Sequence, residues 1–182
     1  MLPIRMPRLV SPRVVLRAFE ETDAGLIASV TADPLIPLII TVPTSGSPED
    51  VAAYIERQHD RLAQQVGYSF AIADAGTDTP VGQIGLWTQY IEAGRASTGY
   101  WTAPGYRRRG YGQAALGALT AWALGLQEVQ RLELQVEPWN EGSWRAAEAC
   151  GFEREGLLRS WEQVGDERKD MYAYSRIAEG SR

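Results

Sequence analysis

The stretch Thr102-Ala103-Pro104-Gly105-Tyr106-Arg107-Arg108-Arg109-Gly110-Tyr111-Gly112-Gln113-Ala114-Ala115 limits what this chain can fold into more than any other. An extended run ends at Thr102, a loop with three arginines and three glycines follows, and a long Ala/Leu helix starts at Tyr111. Glycine bends the backbone so that N–H groups converge, and it lets a ligand approach closely. Those amides meet the positive end of a helix, so the loop suits a phosphate or pyrophosphate. An ordinary strand-to-helix connection with a solvated basic face is the plainer alternative. Which arginine would face a ligand is open at this level.

The surrounding pattern supplies a sheet and its covering. Val14–Ala18 reads as a first strand, and Asp23–Ala32 as a helix stopped at Asp33-Pro34, since a residue before proline avoids the helical region. The proline-rich Pro34–Pro43 reads as irregular. Ser47-Pro48-Glu49-Asp50 is a helix start, with a serine cap, a first-turn proline and two carboxylates on the positive dipole end. Val51, Ile55, Leu62 and Val66 fall at helical spacing behind it, predicting one buried face. Tyr68–Ala73, Val81–Tyr90 and Ala96–Thr102 form a predicted meander. Tyr111–Leu126 helical, Arg131–Val136 extended, Glu141–Cys150 helical, then Glu153–Trp161 and Arg168–Ile177 extended complete the chain. Meander followed by crossovers indicates an α/β (α+β) fold: one domain over 1–182, with a mixed, mostly antiparallel sheet of about six to seven strands flanked by helices.

Composition excludes several classes. One cysteine, Cys150, allows no internal disulfide, and with one histidine, His59, no zinc set is expected. Gln113–Gln127, the longest uncharged apolar stretch, falls short of a membrane span, and residues 1–10 carry no signal-type apolar run, so a cytoplasmic setting is expected. With 18 basic and 23 acidic side chains the net charge is −5, which disfavours nucleic acid and mildly favours a cationic partner. A homodimer rests only on how often two-fold oligomers occur. No P-loop string is present. Gly110-Tyr111-Gly112-Gln113-Ala114-Ala115 fits G-x-G-x-x-A, but seven residues separate it from the strand, against a dinucleotide fingerprint.

Arg107-x-x-Gly110-x-Gly112 resembles the [QR]-x-x-G-x-[GA] signature of the GNAT superfamily of N-acetyltransferases. Leu132 to Ser143 is similar to that family's next strand and its Asn-x-x-Ser helix start, and Cys150-Gly151-Phe152 with Glu155-Gly156 to its G-F-x-x-x-G segment. Leu16-Arg17 with Asp23, Gly99-Tyr100-Trp101, and Asp170 to Ile177 resemble the ribosomal-protein N-terminal (RimJ/RimL-type) branch. The resemblance implies acetyl-coenzyme A as donor, no metal, and an amine acceptor, either a peptide N-terminus or a small amine. It implies a sheet splayed between strands 96–102 and 131–136, with the cofactor in the opening.

Role by role, the resemblance places the cofactor against Arg107, Arg109, Gly110, Tyr111, Gly112, Gln113 and Ala114, with the pantetheine arm along Tyr100, Trp101 and Thr102 and against Asn140. Many superfamily members protonate the thiolate with a Tyr five residues before the Phe of Gly-Phe; here that position is Ala147. In the ribosomal-protein branch the Asn-x-x-Ser serine takes that role, which Ser143 would fill, while Glu162 matches a carboxylate that deprotonates the amine. Each has a plainer reading: Asn140 as a helix cap, Ser143 as a first-turn serine bonding backbone, Glu162 as an exposed strand residue. His59 continues the Ile55/Leu62 face and reads as a boundary histidine, Cys150 as a small buried hydrophobe, and Trp122 as core. Trp87, Trp101, Trp139, Trp144 and Trp161 fall in the half expected to be catalytic. A transferase of a larger acyl group such as succinyl, and a non-catalytic CoA-binding regulatory domain, are the alternatives.

Overall fold

The computed structural model describes residues 1–39 and 41–180; Ile40, inside the proline-rich stretch, and the last two positions of the expected domain lie outside the described residues. Eight strands form one sheet in the order β1-β2-β3-β4-β5-β6-β8-β7. They are β1 Leu9–Val10, β2 Val14–Arg17, β3 Gly67–Asp74, β4 Pro80–Trp87, β5 Arg95–Thr102, β6 Arg131–Val136, β7 Glu153–Val164 and β8 Glu167–Ile177. Eight is one more than the upper expectation: Leu9–Val10 folds back onto Val15 and Leu16 through a turn, and two residues carry no readable alternation. The helices are α1 Ala24–Val30, α2 Ile36–Ile39, α3 Pro48–Ala63, α4 Tyr111–Ala123 and α5 Glu141–Ala149. No helix among the described residues is long and apolar enough to cross a membrane.

Every pairing is antiparallel except β5 with β6, which run parallel. That contact lasts only from Arg95–Ser97 against Arg131–Glu133. Beyond Ser97, β5 continues along β4 up to Thr102, while β6 keeps only β8 as its partner, so the sheet opens where the resemblance implied a splay.

Helices cover both faces. On one, Leu116, Leu119 and Ala123 of α4 pack on Leu16, Phe70, Ile72, Ile84 and Leu86. Trp122 sits edge-on to Tyr68 and Phe70. On the other, α1 and α3 bury Ile27, Val30, Val51, Tyr54 and Ile55 with Ala71 and Trp101. The α3 start is as read, Ser47 Oγ accepting the Asp50 amide at 3.2 Å. Val66 is a correction: α3 ends at Ala63, Gln65 turns left-handed with φ 57°, and Val66 is exposed rather than continuing the helical face. The second meander strand also stops at Trp87, leaving Tyr90 in a turn, and Pro34–Pro43 is not wholly irregular because α2 forms within it.

Arg17 and Asp23, which marked the N-terminal resemblance, make a buried fork. Arg17 Nη1 and Nη2 donate to the two Asp23 oxygens at 2.8 and 2.9 Å, joining β2 to the start of α1. His59 is exposed rather than at a buried boundary, with its Nε2 2.8 Å from the Phe19 carbonyl oxygen.

Candidate active site

The opened sheet and the start of α4 enclose a cleft of about 450 Å³. Its floor is Tyr100, Trp101 and Thr102 of β5; one end is Arg107, Arg108 and Gly110–Gln113; Asn140, Gly142, Ser143 and Arg145 come from α5 and its approach. Leu35, Ile36 and Ile39 add an apolar wall from α2 and the turn before it.

The anion end is built by backbone shape. Arg108 and Gly110 both adopt the left-handed region, φ 59° and 80°. Gly110 is the N-cap of α4, and no side chain among the described residues caps that helix. Among the described residues the amides of Tyr111, Gly112 and Gln113 find no acceptor, as the first turn of any helix requires unless a ligand or water supplies one. Gly112 is needed for a further reason: a Cβ there would lie 2.6 Å from Cε2 of Tyr100, so its hydrogen side chain lets α4 rest on that ring.

Burial pushes the Tyr100 phenol up, so it keeps its proton at neutral pH, while the neighbouring Ser143 hydroxyl works the other way. Asn140 Oδ1 accepts the Ser143 amide at 3.2 Å, capping α5, which leaves the Asn140 NH₂ for other partners. Ala147, within α5, is fully buried. Cys150 is half-buried, its Sγ 3.4 Å from the Gln113 carbonyl, and burial pushes its thiol up, opposed by Arg176. Trp101 is 5% exposed, and its Nε1 donates to Gln83 at 2.8 Å.

Of the residues singled out by sequence, Tyr100, Trp101, Thr102, Arg107, Gly110, Tyr111, Gly112, Gln113, Asn140 and Ser143 line this one cleft. Arg109, Ala114 and Glu162 do not. The Arg109 carbonyl accepts Arg13 Nη1 at 2.9 Å, and its guanidinium lies over the Tyr106 ring. The Ala114 amide closes the first turn on the Gly110 carbonyl at 3.0 Å. Glu162 follows a bulge in β7 at Ser160 (φ 50°), held by Asp170 and Arg168. By surface area Glu162 is an exposed strand residue, yet the protein around its carboxyl, then the nearby Glu137 carboxylate, hold its pKa above the ordinary range. Glu137 is 8% exposed and accepts the Trp139 indole N–H at 2.5 Å. It lines a second hollow with Lys169, Asp166 and Val164, which shares Leu35 and Trp139 with the main cleft. Trp139 and Trp161 are 61% and 52% exposed. The resemblance placed the Pro34–Pro43 stretch on the acceptor side without a helix in it; sequence reasoning did not single out Leu35, Ile36, Ile39, Arg108 or Glu137 as site residues, although the three-arginine run signalled Arg108.

A family profile for the acetyltransferase (GNAT) domain matches residues 13–153. The chain belongs to the GNAT acetyltransferase family. An uncharacterized N-acetyltransferase, p20 of Bacillus licheniformis, is 26% identical over 172 residues, 94% of this GNAT chain and 97% of the relative. The fold is also similar to Mycobacterium smegmatis RimJ in complex with CoA-disulfide (TM-score 0.80, 22% identity, 96% of this chain and 87% of that one). A ribosomal-protein-S5-alanine acetyltransferase from Vibrio fischeri is equally similar in fold (TM-score 0.80, 18% identity, 97% and 99% covered). These neighbours share the fold that the RimJ/RimL-type likeness implied.

Proposed function

We propose that this protein transfers acetyl from acetyl-CoA directly to a primary amine held in the same cleft, a peptide N-terminus foremost. The observation that carries this is the uncapped turn at 110–113 opening onto a cleft floored by the free end of β5. Pyrophosphate fits the three partnerless amides. Beyond Ser97 the β5 edge that faces β6 is free of strand pairing and offers backbone groups to a pantetheine arm. The RimJ neighbour holds a CoA compound, and the Vibrio fischeri neighbour is named for a protein alanine acceptor.

Acetyl-CoA supplies the activated thioester. Amides at the β5 end are aimed dipoles for the oxyanion and need no reorganisation during reaction. Ser143 donates a hydrogen bond to the departing sulfur and relays a proton to it from water, with the buried, protonated Tyr100 phenol beside it. Glu162 lies outside the cleft lining, beside Glu137 of the adjoining hollow, so it takes the ammonium proton through an intervening water, helped by a pKa above the ordinary carboxylate range. A peptide amine of pKa about 7.7–8.0 is already partly neutral at pH 7, so a modest base suffices. The buried Glu137 beside it favours a cationic acceptor before that proton leaves.

Thiol release from acetyl-CoA tests this against alanyl and seryl peptides, polyamines and aminoglycosides, with succinyl-CoA run in parallel. Turnover of a peptide with acetyl-CoA is the expected result. Faster transfer of succinyl would favour the larger-acyl alternative, and CoA binding without transfer to any amine the regulatory one.

A further inference from the structure

The three consecutive arginines of the anion loop are committed in three different ways. Arg107 donates from Nε to the Thr102 carbonyl at 3.1 Å and from Nη2 to Oδ2 of Asp33 at 2.8 Å. Arg109 lies over the Tyr106 ring, 5.8 Å from its centroid. Arg108 lines the cleft and forms no ion pair among the described residues.

Asp33 is the informative partner. Its side chain is 2% exposed, and its Oδ1 accepts the amides of Leu35 and Ile36 at 2.9 Å each. Burial alone would push this carboxyl up, but the two amides and Arg107 hold it below the ordinary range. It therefore holds together the turn that starts α2, and Leu35, Ile36 and Ile39 are the apolar wall of the cleft. Four helical residues have almost no stability of their own, so that wall depends on what ties it down.

We propose that Arg107 is a positioning residue rather than a phosphate ligand: it fastens the anion loop to the Asp33-held α2 wall, coupling cofactor loading to the order of that wall, and leaves Arg108 to meet the cofactor phosphates. This rests on the acyl-CoA reading above. Asp33 is buried, so taking away its cation leaves an uncompensated charge and loosens the turn. If loading CoA fixes the loop, it fixes Asp33, and an ordered wall favours CoA by the same factor.

The test uses CoA itself, with no acceptor. Calorimetry gives its Kd for wild type, Arg107→Met, Arg107→Lys and Arg108→Met, and amide hydrogen exchange at Leu35 and Ile36 is followed with and without saturating CoA. Loss of a charge-assisted phosphate bond costs about tenfold or more in Kd, and this is expected for Arg108→Met. For Arg107→Met the shift stays below about fivefold, the lower end of ordinary coupling. Saturating CoA slows exchange at Leu35 and Ile36 in wild type. That protection disappears in Arg107→Met although CoA is bound, and is partly kept in Arg107→Lys, which retains the charge without the fork. Thermal unfolding checks that each Arg107 variant is folded at the assay temperature, because Asp33, 2% exposed, loses its cation in Arg107→Met. A tenfold weaker Kd in Arg107→Met with an unchanged Arg108→Met would overturn the proposal, as would wild-type exchange at Leu35 and Ile36 indifferent to CoA. A wild type that binds no CoA sinks the functional reading first, and the two failures are thereby told apart.

Discussion

Two glycines of α4 provide a matched pair in which one substitution should have opposite signs. Replacing a helical glycine by alanine normally stabilises by about 0.5–1 kcal/mol, because the unfolded chain loses freedom. At Gly117 an added Cβ meets only Cys150 Sγ at 3.7 Å, an ordinary contact, so Gly117→Ala should show that gain in full. At Gly112 the same atom lies 2.6 Å from Cε2 and 3.3 Å from Cδ2 of Tyr100, whose ring is partly buried and packed against the core. Forcing extra volume into packed surroundings costs about 1–3 kcal/mol, so the net for Gly112→Ala is about 1–2 kcal/mol of lost stability. For a chain of this size that is a fall in Tm of about 2–8 °C, against a rise of about 1–4 °C for Gly117→Ala. Urea titration of both variants beside wild type measures the difference at one temperature. A Gly112→Ala protein as stable as wild type would refute the claim that α4 rests on Tyr100 there.

Other perturbations follow from single contacts. Arg17→Met strands the Asp23 carboxylate, 1% exposed, and should cost about 3–5 kcal/mol by urea unfolding; a loss under 1 kcal/mol would mean that Asp23 finds other partners. Gln83 accepts from Tyr54 and Trp101 and donates to Ser69 and Gln58, so Gln83→Leu leaves buried donors orphaned and should cost about 2 kcal/mol or more, with altered tryptophan emission. The raised Glu162 pKa places the acid limb of kcat/KM above the ordinary carboxylate value of about 4.3, and Glu162→Gln should lower the rate and remove that limb. The linked stability has a definite sign: a carboxyl raised in the fold stabilises below its ordinary pKa, and that contribution is lost as pH rises through the folded value. Glu162→Gln should therefore gain stability relative to wild type on going from pH 4 to pH 7; no such relative gain would contradict the raised pKa.

Much of this was legible before any coordinates, and the reasons differ by region. Gly110 and Gly112 announce a turn because few other residues tolerate the φ of 80° at one and the 2.6 Å approach at the other. Arg131–Val136 was readable as a strand because its inward side chains alternate strictly. Tertiary contacts hid the rest. Leu9–Val10 becomes a strand only because β2 is beside it, and Val66 leaves the helical face because Gln65 turns left-handed two residues earlier than the spacing implies. Arg107 and Asp33 are 74 residues apart, so no local pattern could show that this arginine is already engaged. Glu162 was picked out by family spacing alone, and a β7 bulge at Ser160 carries it towards Glu137 instead of the cleft lining.

The account turns on main-chain nitrogens at 111–113 gripping a pyrophosphate. The most direct measurement follows the ¹⁵N–¹H resonances of Tyr111, Gly112 and Gln113 while CoA, pantetheine and NAD are titrated in separately. Large downfield proton shifts at Gly112 and Gln113 with CoA, and small ones with pantetheine, are the predicted result. Resonances that ignore CoA, or that respond to NAD at lower concentration, would contradict it.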